Sequence, residues 1–428
     1  MKIQVENVSP VERKVTIEVD PERVAKELER AYRGLSRRVK VAGFRPGKAP
    51  RNVLERHYKP EVEGEVLEKL VQDTFVEAVK VESIAPVAPP QVSITEPLAE
   101  GQALKFSAKV EVKAKFEPKG YKGLKVEKKA AEVTDALIDE ELKKLQERAA
   151  KLEPVADRLD AKEGDWAVID HRGTVDGAPF DGSDADGVTV KLEQGTMLDG
   201  NIPQLVGKAV GATVEFEQEL PADYRVAAVA GKVAKMSVTL RGLRQKVLPA
   251  LDEAFVKEIG LEGVETLEAL KARMRTDLER RETRKVESEF KDALVKSALG
   301  ENSFEVPPAL VERAIDTMIE GAAERFARSG LDIRNMDLDF ARMRGDLRDQ
   351  ALQQVRGALL LEAIADHEKV EVTEEDLQKE LGRLSEDIGV PLEMLKKQMR
   401  GVEQREALKS RVREEKVLAL MAAAVAPA

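Results

Sequence analysis

The residues from Gly43 to Pro50 form a stretch whose residue types and spacing suit a binding site. Two glycines give the backbone freedom and two prolines fix φ and remove donors, so the segment is predicted to be a stiff, exposed loop. It places one aromatic ring, Phe44, beside one guanidinium, Arg45. An exposed ring next to an arginine can anchor a protein or an RNA surface. The alternative is an ordinary turn between two helices.

The charge around this loop argues for a binding role. Segment 23–59 holds twelve basic residues against three acidic ones, so it carries +9 in a chain of net charge −10, and the remainder sums to −19. The basic residues are Arg23, Lys26, Arg30, Arg33, Arg37, Arg38, Lys40, Arg45, Lys48, Arg51, Arg56 and Lys59. Such a local reversal of charge indicates a polyanionic partner for one face. Nucleic acid, bound through its phosphates, is the obvious candidate.

The pattern Gly43-Phe44-Arg45-x-Gly47-x-x-Pro50 resembles the ribosome-docking signature of the bacterial trigger factor family, and the resemblance extends over the whole chain. It implies an ATP-independent chaperone that binds nascent and unfolded polypeptides at the ribosome exit tunnel. In that family the loop contacts a protein of the large subunit and the ribosomal RNA backbone. The docking residues implied here are Gly43, Phe44, Arg45, Pro46, Gly47 and Lys48. Pro46 stands where a second basic residue is common, so one contact is expected to be missing.

A second stretch, residues 165–243, is rich in Gly, Asp and Val and shows strand-length alternation. It resembles an FKBP-type peptidyl-prolyl isomerase, which implies a twisted antiparallel sheet wrapped on one short helix. The segments that carry the resemblance are His171-Arg172-Gly173, Asp176-Gly177, Phe180-Asp181-Gly182, Gly195 to Gly200, and Pro221 to Tyr224.

Such an isomerase needs no nucleophile, because the barrier of about 20 kcal/mol comes from amide resonance. A dry pocket with aromatic walls favours the twisted amide. The pocket residues implied by the resemblance are His171, Phe180, Asp181, Met197, Leu198, Asn201, Tyr224 and Met236. His171 replaces a Tyr or Phe of the family, and Asn201 replaces the Trp or Phe of the floor. Val188 and Met236 replace two further rings. Two interpretations stay open: an isomerase with an altered pocket, or a retained fold with little catalysis.

Hydrophobic periodicity predicts the elements that position these sites. Segments 2–8 and 11–19 alternate like half-buried strands, and Asp20-Pro21 is a typical helix start. That helix is predicted to end at 42–43, and Pro60 is predicted to open the next one. The Pro-rich run 84–97 is predicted to be extended, and a strand over 104–116 would complete a small α+β domain.

Helices are predicted to dominate outside these regions. Thr134 is the predicted N-cap of a helix that carries Leu137 to Leu152 and is closed by Pro154. From residue 251 to 424, helices are predicted to begin near Thr266, at 307–308, at 337 and at Thr373. Their apolar stripes suit ordinary core packing, while the family resemblance implies arms around an open cradle.

The predicted fold class is therefore a multidomain α+β protein. Its expected parts are an α+β ribosome-binding domain (1–116), a hinge with a linker helix that packs on the C-terminal domain (117–160), an antiparallel FKBP-like isomerase domain (161–246), and an all-α chaperone domain with helical arms (247–428).

The composition excludes several classes of function. No cysteine is present, and three histidines lie far apart (His57, His171 and His367), so neither a disulfide framework nor a zinc site is expected. No GxxxxGK[ST] loop indicates a nucleotide cycle, and no cofactor is expected. The chain lacks an apolar run of about 20 residues. We therefore expect a cytoplasmic protein without a membrane partner.

Two rival functions fit parts of the sequence. A free-standing FKBP-type isomerase whose helices form a dimerisation domain would not need the +9 segment beside the loop. A non-catalytic holdase or adaptor made of helices would leave the FKBP-like stretch unexplained. The family resemblance also implies that the chain can form a homodimer when it is free of the ribosome.

Overall fold

The computed structural model describes residues 1–39, 44, 50–94, 98–99, 101–193, 202–220, 226, 228–328, 339–399 and 401–425. The chain forms two compact units. One joins Met1–Lys129 with Glu287–Ala428, and the other is Ala130–Val286. Among the helices of the described ranges, none has the length and apolar character of a membrane span.

The first unit begins with an antiparallel sheet of four strands in the order β1-β2-β4-β3. The strands are β1 (Lys2–Ser9), β2 (Glu12–Val19), β3 (Gln91–Ile94) and β4 (Leu104–Glu111). Ile17 of β2 lies opposite Phe106 of β4, and both side chains are fully buried. Directly opposed residues share a face of the sheet, so this pair marks the face that the helices cover.

Two helices cover that face, α1 (Pro21–Arg38) and α2 (Arg51–Val81). The predicted helix start at Asp20-Pro21 is confirmed. The predicted start at Pro60 is wrong, because α2 begins nine residues earlier and Pro60 lies inside it. Pro60 is exposed, whereas Leu54 and Val62 on either side of it are buried in the core of the sheet. The continuous buried stripe stabilises the helix through the proline, at the cost of one backbone hydrogen bond.

The strand predicted over 104–116 is shorter than expected, since β4 ends at Glu111. The chain then runs through residues 112–126 into the helical part of the same unit. There Phe116 stacks on Phe304 with 4.1 Å between ring centroids. Tyr121 and Leu124 are buried among residues of three helices.

Asn302 joins this segment to the helices. Its Oδ1 accepts a hydrogen bond from the Lys119 N–H at 2.9 Å, and its Nδ2 donates to the Lys119 carbonyl at 2.7 Å. Nδ2 also donates to the Ala298 carbonyl at 2.8 Å. The Asn302 side chain is buried, and these backbone groups satisfy the hydrogen-bonding atoms of its amide. We refer to these three bonds as the Asn302 clasp.

The helices of this part are long. They are α6 (Leu267–Glu301), of which Glu287 onward belongs to this unit, α7 (Pro308–Arg328), α8 (Phe340–His367), α9 (Glu374–Ile388), α10 (Leu392–Gln398) and α11 (Val402–Ala423). The capping box predicted at Thr373 is confirmed, with Asp376 at its third position. A salt bridge to Lys416 is the main reason why the pKa of Asp376 falls to about 2. Asp339 caps α8, whereas the start predicted at residue 337 lies outside the described residues.

The second unit is built on an antiparallel sheet in the order β5-β9-β6-β7, with β8 also paired to β9. Its elements are α3 (Asp135–Arg148), β5 (Lys151–Pro154), β6 (Trp166–Thr174), β7 (Asp184–Lys191), α4 (Ile202–Leu205), β8 (Thr213–Glu219), β9 (Val233–Val247), α5 (Glu253–Ile259) and the first part of α6. One short helix beside an antiparallel sheet is the arrangement that the FKBP resemblance implied.

The linker helix is shorter than predicted. α3 ends at Arg148, and the segment predicted to continue it to Pro154 is instead β5, where Leu152 pairs with Lys246 of β9. Pairing with a sheet edge outweighs the helical pattern there. Leu142 of α3 packs on Phe255 and Leu270, so the apolar stripe of the linker helix is covered.

The clasp yields a prediction. Asn302→Ala should lower the free energy of unfolding of this unit by about 1–3 kcal/mol, because three hydrogen bonds from a buried side chain to the backbone of Lys119 and Ala298 are lost. Hydrogen exchange of residues 112–126 during urea unfolding measures this, since a chain of several domains does not unfold in one step. Asn7→Ala, at an exposed asparagine, is the control and should change little. Equal protection in both variants would contradict the role of the clasp.

Candidate docking, isomerase and client-binding sites

The predicted docking loop lies between α1 and α2, whose facing ends are tied together. The Arg51 guanidinium lies over the Tyr32 ring, 5.1 Å from its centroid, and its Nε donates to Glu55 at 2.7 Å. Tyr32 is buried, whereas Phe44 is 40% exposed. The other implied docking residues, Gly43, Arg45, Pro46, Gly47 and Lys48, lie outside the described residues. The helices thus fix the chain on both sides of the predicted loop, and Phe44, the one implied docking residue that is described, is exposed.

Nine of the twelve basic residues of segment 23–59 lie in the described part of the chain, and they fall into two groups. Five form ion pairs: Arg23 with Glu77, Arg30 with Glu27, Arg33 with Glu29, Arg51 with Glu55, and Lys59 with Glu63. Within the described part of the chain, Lys26, Arg37, Arg38 and Arg56 form none. Arg37 and Arg38 occupy the last turn of α1, next to the loop. Their charges are available to an anionic partner.

A small basic cleft lies along the same helix. Its cationic lining comes from Arg30, Arg33, Arg37, Arg38 and Lys69. Glu27 offsets part of this charge, since it bonds Lys69 at 2.6 Å, and that hydrogen bond is the main reason why its pKa is lowered. A net positive cleft beside an exposed ring suits phosphate groups next to a protein surface.

The sheet of the second unit brings two of the implied isomerase residues onto one face. His171 of β6 is buried, as is Met236 of β9, which lies opposite Gly173. A Cβ at Gly173 would lie 2.6 Å from the Met236 sulfur, so a larger residue there would force the Met236 side chain to move. Phe180 packs against the same buried cluster as Met236. A thioether and an imidazole therefore lie at the two positions that the resemblance equates with Tyr, Phe or Trp of the family.

The other implied pocket residues divide as follows. Asp181 is exposed, and Val188 packs on the main core of the sheet. Met197, Leu198, Asn201 and Tyr224 lie outside the described residues. Among the described residues, none is a hydrogen-bond partner of the buried His171 Nδ1.

A third candidate site is a cleft of about 710 Å³ between α7, α8 and α11. Apolar side chains line much of it: Leu310, Val355, Leu359, Leu361, Val370 and Val372. Its four basic residues all have partners. Lys113 pairs with Glu362, Lys409 with Glu406 and Arg413 with Asp366, while Arg313 donates to the Val87 carbonyl.

Glu414 is the exception in this cleft. It has a long hydrogen bond of 3.4 Å from the Ser410 hydroxyl and no ion pair with a described residue. Burial raises its pKa above the ordinary value of 4.5, and the nearby carboxylates of Glu362 and Glu415 add to the effect. An apolar cleft with one uncompensated carboxylate can bind an apolar segment that brings a hydrogen-bond donor or a cation.

Comparison with known proteins identifies the family of the chain. Models of the bacterial trigger factor protein match residues 1–145 and, for its C-terminus, 266–423, while a model of FKBP-type peptidyl-prolyl cis-trans isomerases matches 158–241. Trigger factors of an Anaeromyxobacter species and of Anaeromyxobacter dehalogenans are 63% and 64% identical over 424 residues, covering 99% of both chains. The chain belongs to the trigger factor family. Its domains are those of a ribosome-associated chaperone with an FKBP-type isomerase domain.

More distant relatives also match over nearly their whole length. The trigger factor of Syntrophotalea carbinolica is 37% identical over 98% of this chain and 95% of its own. A solved structure of a trigger factor chaperone matches 98% of this chain and 99% of that chain at 21% identity, with a TM-score of 0.49.

Sequence reasoning did not find Glu414. Its signal was present, because position 414 shares a helical face with Val417 and Met421, which are buried. A carboxylate that continues an apolar stripe indicates either a buried pair or a site. Only the fold distinguishes these two cases, since the cleft partners come from α7 and α8.

The raised pKa of Glu414 gives a second prediction. The folded state binds this proton more tightly than the unfolded chain, so its carboxylate destabilises the fold as pH rises through the folded pKa. Glu414→Gln should therefore raise Tm at pH 7 by about 1–2 °C, as expected for a gain below 1 kcal/mol in a large unit. The gain should vanish below pH 4, where the wild-type group is also neutral. Scanning calorimetry from pH 7 to pH 4 tests this, and a gain independent of pH would contradict it.

Proposed function

We propose that this chain docks on the large ribosomal subunit beside the exit tunnel through Phe44, Arg45 and the basic end of α1. The observation that carries the proposal is an exposed aromatic ring six residues after Arg38, where Arg37 and Arg38 form no ion pair within the described residues. A ring can fill a pocket on a ribosomal protein, while Arg37 and Arg38 contact RNA phosphates. Gly43, Pro46, Gly47 and Lys48 belong to this docking loop by the family resemblance.

We further propose that nascent and unfolded chains bind in the cleft between α7, α8 and α11. Its apolar lining suits unfolded segments, and its partnered charges leave only Glu414 to select among them. Exposed apolar side chains beyond the cleft, including Phe326, Phe340 and Met394, extend the surface available to a client. Binding of this kind needs no nucleotide.

Peptidyl-prolyl isomerase activity is proposed for the second unit, at a level below that of family members with aromatic walls. The buried positions of His171 and Met236 support this, since a thioether and a polar imidazole offer less apolar ring surface to a twisted amide than Tyr, Phe or Trp would. Phe180, Asp181, Met197, Leu198, Asn201 and Tyr224 complete the proposed pocket on the resemblance alone.

On the family resemblance we propose domain boundaries at residues 116, 160 and 246. We also propose a cytoplasmic location and a homodimer of the ribosome-free chain. Segment 112–126 packs with the C-terminal helices. We therefore expect that cutting the chain after residue 116 removes part of the apolar packing of those helices.

The docking proposal predicts that Phe44→Ala with Arg45→Ala weakens ribosome association at least tenfold and leaves the fold intact. Phe44 is exposed and lies outside the buried core of the sheet, so its effect should be confined to binding. Co-sedimentation with empty ribosomes over a salt series measures it. Loss of one phosphate contact should also reduce the slope of log affinity against log salt by about 1.

The matched control is Phe326→Ala with Arg328→Ala, because Phe326 is also 40% exposed and lies on α7. This variant should pellet with ribosomes like the wild type. Unaltered pelleting of the Phe44 and Arg45 variant, or an equal loss in the control, would contradict docking through the loop.

The isomerase proposal predicts that Asn201→Phe raises kcat/KM on a short X–Pro peptide. A buried aromatic contact is worth about 1–3 kcal/mol, which corresponds to roughly tenfold to hundredfold in rate if it is expressed in the transition state. Asn201→Ala is the control, because it removes the amide without adding a ring. High wild-type activity, or a folded Asn201→Phe with no gain by circular dichroism and kinetics, would reject the proposed floor.

A further inference from the structure

The strand β3 forms an open edge of the first sheet with apolar side chains that no other element covers among the described residues. β3 pairs with β4 on one side and ends the sheet on the other. Val92 lies opposite Ala108, and Ile94 opposite Phe106. Ala108 and Phe106 are fully buried, so Val92 and Ile94 point to the core face of the sheet, yet they are 38% and 46% exposed. Among the described residues, the helices α1 and α2 therefore cover the core face at β4 but leave it exposed at β3.

A groove of about 550 Å³ occupies the uncovered face. Its floor and inner wall are apolar, formed by Val92 and Ile94 of β3 and by Leu67, Val71 and Phe75 of α2. Leu67 and Val71 are half-buried and pack on the main core. Contiguous exposed apolar surface of this kind marks a binding site more often than a packing defect.

The outer wall of the groove gives its charge preference. It is the row Gly64, Glu68, Gln72 and Val76 of α2, and Glu61 lies two turns before Glu68 on the same face. Neither Glu61 nor Glu68 forms an ion pair with a described residue, and no basic side chain of the described residues lines the groove. The rim is therefore acidic around an apolar floor.

We propose that this groove binds an extended polypeptide segment of alternating apolar residues flanked by Lys or Arg, which adds as a fifth strand to the edge of β3. The unpaired N–H and C=O groups of β3 would bond the main chain of the segment. Its alternate side chains would fill the groove, and its flanking cations would meet Glu68 and Glu61. The site is separate from both the docking loop and the α7–α8–α11 cleft.

The dimensions of the groove fit a strand. From Gly64 to Val76, α2 rises about 18 Å. Five or six residues of an extended chain span the same length at about 3.3 Å each. β3 is short and follows Pro90, which also lines the groove, but its own residues Gln91 to Ile94 include no lysine, proline or bulge that would block pairing.

Fluorescence anisotropy with the full chain tests the proposal. The probe is a labelled ten-residue peptide with three valines alternating with threonines and two lysines at each end. Val92→Thr with Ile94→Thr keeps β-branched residues in the strand and removes apolar area, and it should weaken binding at least tenfold. Glu68→Lys should weaken it similarly and improve binding of a peptide with glutamates at its ends. Hydrogen exchange of residues 91–94 should slow when the peptide binds.

Two controls distinguish pairing with the edge of β3 from non-specific hydrophobic binding of the peptide. Val8→Thr with Val81→Thr changes valines that are 51% and 65% exposed and lie outside the groove, and it should bind the peptide normally. A peptide methylated at alternate backbone nitrogens cannot donate to β3 and should bind at least tenfold more weakly. Ribosome co-sedimentation should be unchanged in all groove variants.

Three results would overturn the proposal. The first is equal affinity of the Val92/Ile94 variant and the wild type, and the second is equal affinity of the methylated and unmethylated peptides. The third is a peptide-free dimer that dissociates in the Val92/Ile94 variant by analytical ultracentrifugation, because the groove would then be covered by a second copy of this chain.

Discussion

The Asn302 clasp is the contact on which the organisation of the first unit depends. One buried amide satisfies the N–H and the carbonyl of Lys119 while remaining bonded to its own helix. Around it, Phe116 stacks on Phe304, and the Arg356 guanidinium lies 5.6 Å from the centre of the Phe304 ring. These contacts fix the chain that leaves the N-terminal sheet against helices encoded almost two hundred residues later. The N-terminal α+β part and the C-terminal helices consequently belong to one compact unit. Residues 130–286, which form the other unit, lie between its two segments in the sequence.

Local patterns predicted much of the fold, because many elements are specified by neighbouring residues. The alternation of Val15, Ile17 and Val19 identifies β2, and Thr373 with Asp376 identifies the start of α9. The failures have non-local causes. Residues 151–154 form a strand because β9 offers a partner, and Pro60 stays within α2 because the sheet supports the residues on both sides. Both β9 and the N-terminal sheet involve residues far away in the sequence, and a periodicity argument uses only a short stretch of neighbouring residues.

The candidate sites divide along the same line. Phe44 and the basic end of α1 are evident from residue types alone, since a loop motif and its charge are contiguous in sequence. The cleft around Glu414 and the groove beside β3 each combine residues from distant elements, and in both the informative feature is an exception to a pattern. Glu414 interrupts an apolar stripe, and Val92 and Ile94 continue a buried face that lacks a cover. Only tertiary structure shows whether such an exception is buried, paired or open.

The discontinuous unit also has a consequence for the biosynthesis of the protein. Leu124 and Met421 belong to one buried cluster, but nearly three hundred residues separate them. At a synthesis rate of about 5–20 residues per second, Met421 is added about 15–60 s after Leu124. During that interval Tyr121 and Leu124 are exposed on a growing chain. Five lysines lie among residues 119–129. Charge placed between apolar side chains in this way opposes aggregation of the segment before α11 has been synthesised.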